Sequence, residues 1–341
     1  MIIHRAKLKT AIYLLALLFF LYIYPHLLAS GATGIYPPAM PNYDYPCRNY
    51  TENYIGLGTS QISDDYWVFQ PAECNTTISS APLVVMLHGW GSTDISTMET
   101  WVHHAVMQGN IVIFPLYMER PLEGIGGGGW YVFVNRTADA IKNGITWLQS
   151  NRTNVQPDLN KFAIAGGSMG AYVTINLAAA WNEKGLPKPG VIVPVHPPGE
   201  HLLENLNQNN ITSDILINCF VGEEDSIAGR AGCDAFWNVT NHVARRDYVF
   251  ECSDYHGEPA IVAEHKPSEV IEWYGEWKSF DGLMGCAFYN RDCDKWVGNT
   301  PEHRYMGEWS DGVSVKELGI SNVPPVGDPC PPAAPTGLTV N

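Results

Sequence analysis

The chain has 341 residues, 45% of them hydrophobic, which is enough for one large buried core. It carries 20 Lys and Arg against 35 Asp and Glu, a formal charge of −15. No basic run follows the first ten residues, so nucleic acid and anionic membrane surfaces are poor candidates as partners.

The first thirty residues stand apart. Arg5, Lys7 and Lys9 precede an uncharged apolar stretch from Ala11 to Tyr24, and small residues follow at Ala29-Ser30-Gly31-Ala32. Residues 1–30 read either as a secretory signal peptide or as an N-terminal membrane anchor, and any membrane contact is expected through this segment alone. Residues 31–46, rich in Pro and Tyr, read as an extended linker. One domain is expected over 47–328.

Within 47–80 the one expected strand is Asp65 to Gln70. Pro82 to Leu87 is a continuous apolar run, the pattern of a strand covered on both faces of a sheet, and it ends in His88-Gly89-Trp90-Gly91. A helix is expected over Ser96 to Gln108, a second buried strand over Asn110 to Phe114, a glycine-rich loop over Glu123 to Gly129, and a long helix over Trp130 to Ser150.

Lys161 to Ala165 is a further short strand. It runs into Gly166-Gly167-Ser168-Met169-Gly170 and then into an apolar, Ala-rich helix from Ala171 to Trp181. Strand, sharp glycine turn and helix are the setting in which G-x-S-x-G projects a nucleophilic serine. A serine hydroxyl is a weak nucleophile, so it has to sit where a base and a substrate can both reach it. The helix start adds free N–H groups and a positive dipole end where an oxyanion would form.

Apolar runs recur at Gly190 to Val195 and Asp214 to Val221. A helix is expected over Arg230 to Val243, the last strand over Arg246 to Cys252, and a helix over much of Ser268 to Leu283. Strands alternating with helices at this spacing mean a mainly parallel, doubly wound α/β sheet with helices on both faces. The stretch between Val195 and Asp214 is too short for a large cap domain. Residues 285–328 read as a C-terminal elaboration of the same domain, and 329–341 as a linker whose last residues resemble the opening strand of a fibronectin type III module.

Eight cysteines, none in the leader, imply disulfides. Cys286 with Cys293, and Cys47 with Cys74, are expected pairs; Cys219, Cys233, Cys252 and Cys330 are left unassigned. No doubled C-x-x-C exists, so no metal site is expected. Sequons at Asn49, Asn75, Asn135, Asn151, Asn210 and Asn238, with the leader, suggest an extracellular or cell-surface glycoprotein.

A serine elbow needs a base, an orienting acid and oxyanion donors. The expected donors are the backbone N–H groups of Met169, just after the serine, and Trp90, in the loop after the earlier strand. Asp225 is the expected acid, on the Gly222-Glu223-Glu224-Asp225 turn that ends a strand. His256 is the expected base, four residues past the last expected strand and beside Gly257. His265 is its rival, His88 reads as a loop-holding residue, His242 as an exposed surface residue on the helix before the last strand, and His303 lies in the tail.

In this order the motifs resemble the α/β-hydrolase superfamily over roughly residues 60–285. The Gly-x-Ser-Met-Gly elbow resembles its dienelactone-hydrolase-like, chlorophyllase-like and cutinase-like polyester-hydrolase branches, and Asp254-Tyr255-His256 is similar to the histidine loop of the chlorophyllase-like group. The resemblance implies hydrolysis of carboxylic esters by Ser168, His256 and Asp225. Such chemistry requires no cofactor, and a monomer is expected. An aromatic rim of Trp90, Trp130 and Tyr131 points to bulky or polymeric esters. The alternatives are a serine peptidase or acyltransferase using the same three residues, or a non-catalytic surface adhesion or scaffold module.

Overall fold

The computed structural model describes residues 34–56, 65–119, 129–199, 207–327 and 329–330. The leader, most of the Glu123–Gly129 loop and the stretch compared with a fibronectin module lie outside the described residues.

Among the described residues nine strands form one sheet: β1 (Cys47–Ile55), β2 (Tyr66–Cys74), β3 (Ser80–Leu87), β4 (Ile111–Pro115), β5 (Gln156–Gly167), β6 (Val191–Val195), β7 (Leu216–Gly222), β8 (Arg246–Glu251) and β9 (Gly319–Ser321). Their order across the sheet is β1-β2-β4-β3-β5-β6-β7-β8-β9. From β4 through β8 every pairing is parallel, while β1, β2 and β9 add antiparallel edges.

Two strands differ from the sequence reading. β1 is amphipathic at best, with most of its side chains exposed, because it is an edge strand that pairs only with β2. Its polar, tyrosine-containing sequence carries no buried run to reveal it. Arg246 to Cys252 is also not the last strand. The three-residue β9 returns from the C-terminal elaboration and pairs with β8, Val249 opposite Ile320. A strand that short has no periodicity to read.

Helices cover both faces. On one lie α2 (Tyr131–Ser150), α3 (Met169–Ala180) and α4 (Ala231–Val239). On the other lie α1 (Glu99–Met107) and α5 (Lys278–Tyr289), the latter entered through Glu269–Ile271 and a π-helical turn, Glu272–Trp277. Short helices α6 (Cys293–Trp296) and α7 (Pro301–Arg304) follow.

The continuous apolar runs have a direct physical cause. Along β3, Leu83, Val85 and Leu87 pack into one core, and Val84 and Met86 into the other, all fully buried. Neither face sees water, so neither can be polar. At roughly 1.5–3 kcal/mol for each fully buried aliphatic side chain, these central strands dominate the hydrophobic stabilisation.

All four disulfides form: Cys47–Cys74 and Cys286–Cys293 as expected, and Cys219–Cys233 and Cys252–Cys330. Such pairing belongs to an oxidising environment. Among the described residues no helix is long and apolar enough to cross a membrane. Five of the six sequon asparagines are exposed and Asn210 is half-buried.

Candidate active site

β5 ends at Gly167 and α3 begins at Met169, so the whole reversal of the chain falls on Ser168. Its φ of 54° is a left-handed conformation that L-residues avoid, and here it aims the side chain away from both elements. The crossing is tight. A Cβ on Gly170 would sit 2.1 Å from the Leu87 carbonyl oxygen, and one on Gly166 would sit 2.7 Å from the Gly170 backbone. Only glycine lets α3 start this close to β3 and β5.

His265 stands over the serine. Its Nε2 is 3.0 Å from Ser168 Oγ, and its Nδ1 is 3.1 Å from Asp225 Oδ2. Asp225 lies three residues past β7, with its side chain buried. Its Oδ1 accepts the N–H groups of Ile227 and Ala228, each at 2.9 Å. Burial alone would raise its pKa. Hydrogen bonds from His196 and His265, then from Ala228 and Ile227, outweigh burial and hold the carboxyl well below the usual carboxylate range.

His256, the base expected from sequence, does not reach this site. Its Nε2 lies 2.8 Å from Asp311 Oδ2, out on the C-terminal elaboration. The reason lies in the loop after β8. Asp254 and Ile261 form an antiparallel bridge, with N–H to carbonyl distances of 2.7 and 2.9 Å, which closes the chain between them into an excursion. His256 and Gly257 ride on that excursion. Gly257 abuts Trp309, and the Asp254 carboxylate accepts the Trp309 indole N–H at 3.0 Å. Past the bridge the chain returns to the sheet, where the Ala263 carbonyl accepts the Glu224 N–H at 2.9 Å. Two residues later His265 lies above Asp225.

A second histidine was missed altogether. His196 follows β6, is 1% exposed and has a φ of 52°. Its Nδ1 is 2.8 Å from Asp225 Oδ2, the same oxygen that meets His265, and its Nε2 is 2.8 Å from Glu251 Oε2. Burial opposes its charge, but the Glu251 carboxylate and the hydrogen bonds that its ring donates to Asp225 and Glu251 win, and its pKa is pushed up to about 10. His196 is therefore an imidazolium clamped between two carboxylates. Its one sequence signal is position, at the C-terminal end of a parallel strand, where sites in such sheets gather.

The loop after β3 closes the other side. A Cβ on Gly89 would lie 3.5 Å from Ser168 Cβ, so the backbone entering Trp90 runs against the elbow. Met169 opens α3, so its N–H has no intrahelical partner. His88 is fully buried and stacks on Tyr117 with ring centres 4.1 Å apart. It bonds the Gly89 carbonyl through Nδ1 at 2.9 Å, and burial lowers its pKa to about 4. A buried neutral imidazole of this kind holds the loop. Its own carbonyl accepts the Tyr117 hydroxyl. His303 is likewise fully buried, and His242 bonds the Ile211 carbonyl at 2.7 Å.

Ser168 and His265 open into a cleft of about 460 Å³. Gly89 to Ser92 with Thr97, Met98, Thr100 and Trp101 line one side, and Lys266, Glu272, Glu276 and Trp277 the other. Of the expected aromatic rim, Trp90 is 41% exposed, while Trp130 is buried against Tyr172 and Trp90. A hydroxyl, an imidazole and a carboxylate in line beside free backbone N–H groups can carry out acyl transfer.

A family model described as alpha/beta hydrolase fold matches residues 134–267, from α2 to just past His265. No curated protein matches the chain at a significant level. The matched segment holds the elbow, Asp225 and both histidines that meet it, and with the mainly parallel sheet around it the chain has the α/β-hydrolase fold.

Proposed function

We propose that the protein is a serine hydrolase of carboxylic esters, working through Ser168, His265 and Asp225. The observation that carries this reading is the hydrogen-bonded line from Ser168 Oγ to His265 Nε2 (3.0 Å) and from His265 Nδ1 to Asp225 Oδ2 (3.1 Å).

In this mechanism Ser168 attacks the acyl carbonyl while His265 takes its proton. Asp225 holds the imidazole with Nε2 toward the serine and balances the imidazolium that forms. The N–H groups of Met169 and Trp90 receive the oxyanion. His265 returns the proton to the leaving alcohol, and water then releases the acyl group by the same steps in reverse. None of these steps calls on a metal or an organic cofactor. The disulfide-bonded fold and the leader-like first thirty residues support action outside the cytoplasm, at the cell surface or beyond it.

The test is hydrolysis of short-chain p-nitrophenyl esters by the wild type and by Ser168→Ala, with fluorophosphonate labelling of the serine. Loss of roughly a thousandfold or more in kcat, and loss of the label, is expected. An active Ser168→Ala enzyme overturns the reading.

A further inference from the structure

Among the described residues, one carboxyl lining the cleft is buried without a hydrogen-bond partner. Asp225 and Glu251 share the His196 imidazolium between them. Glu272 has Lys266 acting on it through space. Glu276 has only the His196 ring acting on it through space. It is 4% exposed, and its carboxyl makes no side-chain hydrogen bond among the described residues, yet it lines the cleft that holds Ser168 and His265. His196 lies within coulombic reach, but both its ring nitrogens are engaged elsewhere.

Burial, then the nearby Glu251 and Glu272, raise the Glu276 pKa well above the ordinary carboxyl range. That carboxyl has no hydrogen-bonded counter-ion among the described residues, and a cation entering the cleft would supply one. The surroundings suit a cation carried on carbon. Trp101 and Trp277, both nearly buried, wall the same cleft, and Trp90 stands at its mouth. Indole faces attract ammonium groups while packing against alkyl chain. Glu272 and Glu276, one turn apart in the π-helical segment, face the cleft together. The formal charge of −15 favours arrival of cations over anions.

We infer that Glu276 is the recognition group for a cationic substrate: an ester bearing an ammonium group on its acyl or alcohol chain, seated between Glu276 and the indoles of Trp101 and Trp277. This rests on the ester-hydrolase reading above.

Two pairs of esters that differ only in charge test it. On the acyl side they are p-nitrophenyl 6-aminohexanoate and p-nitrophenyl heptanoate. On the alcohol side they are choline butyrate and 3,3-dimethylbutyl butyrate. In at least one pair the wild type should favour the cationic member by about tenfold in kcat/KM, within the range of a partly desolvated cation–π and carboxylate contact. In Glu276→Gln that ratio should collapse toward one, and Glu276→Asp should retain part of it. Because each enzyme is compared with itself, a general loss of activity does not mimic the result. Should Glu276→Gln not fold, hexylammonium should inhibit the wild type competitively and 1-hexanol should not. No charge preference in either pair, or a preference that survives Glu276→Gln, overturns the proposal. If neutral esters are not hydrolysed, or are hydrolysed without Ser168, the hydrolase reading itself has failed.

Discussion

His196 and His265 meet the same oxygen of Asp225, at 2.8 and 3.1 Å. The carboxylate that orients the imidazole beside Ser168 is therefore itself held from behind by a buried imidazolium, which is in turn anchored on Glu251. This arrangement fixes the direction of Asp225 through four hydrogen bonds, two of them from backbone N–H groups. It also makes the site sensitive to residues that never touch substrate.

His196→Asn should lower kcat by about tenfold or more, since it loosens Asp225, while the ring it removes is only 1% exposed and adds little to the cleft wall. Asn tolerates the left-handed backbone at this position, so the change tests the side chain and not the turn. Leaving Glu251 buried and unpaired should also cost stability, on the order of 3–5 kcal/mol. Steady-state kinetics with urea unfolding of the same variant reads both effects. An unchanged kcat would mean that Asp225 needs no support.

The two loop histidines separate cleanly. His265→Ala should reduce kcat by roughly a thousandfold or more, whereas His256→Ala should leave it within about threefold, because His256 is tied to Asp311 away from the cleft. Burst kinetics with p-nitrophenyl acetate distinguishes them. The reverse ranking would restore His256 as the base.

Gly170→Ala should be poorly tolerated. The added carbon would lie 2.1 Å from the Leu87 carbonyl oxygen, which belongs to a central strand and cannot yield cheaply. Forced displacement of packed backbone costs about 1–3 kcal/mol or more. Thermal unfolding should show it directly, and a variant as stable as the wild type would contradict the close approach of α3 to β3.

Stability should fall in mild acid through His303. Its ring is fully buried, Nδ1 bonding the Gly298 carbonyl at 3.1 Å and Nε2 meeting the Asn218 amide at 3.2 Å. Burial lowers its pKa from 6.5 to about 4. The unfolded chain then binds a proton that the folded chain refuses. The contribution is complete above pH 6.5 and declines as pH falls from there toward 4, by up to about 3 kcal/mol. His303→Gln should flatten that part of the Tm–pH curve; an identical curve would show that other groups govern it.

The disulfides should differ in worth. Cys252–Cys330 spans 78 residues and Cys286–Cys293 spans 7. On loop-closure entropy the longer bridge stabilises more by about 2 kcal/mol. Guanidinium unfolding of the two double-Ala variants makes the comparison, and equal losses would assign the effect to packing.

Much of this protein could be read along the chain because it depends on neighbours in sequence. The buried runs at Pro82 to Leu87, Asn110 to Phe114 and Gly190 to Val195 declare a two-faced sheet, since strands covered on both sides have no polar face to alternate. Gly166-Gly167-Ser168-Met169-Gly170 declares the elbow, since only glycine tolerates the crossing. Asp225 was legible as the first carboxylate able to turn back over a strand end.

Which histidine meets Ser168, what supports Asp225 from behind and where the sheet ends were decided only in three dimensions. His256 and His265 lie nine residues apart on one loop, and chain position alone favours the nearer. A single bridge between Asp254 and Ile261, locked to Trp309 from the far end of the chain, sends one outward and brings the other home. His196 and Glu251 end separate strands, and β9 is three residues long, so their pairings exist only once the sheet has formed. Local preference governs how a segment folds, but which side chains meet is set by contacts between segments that carry no record of each other.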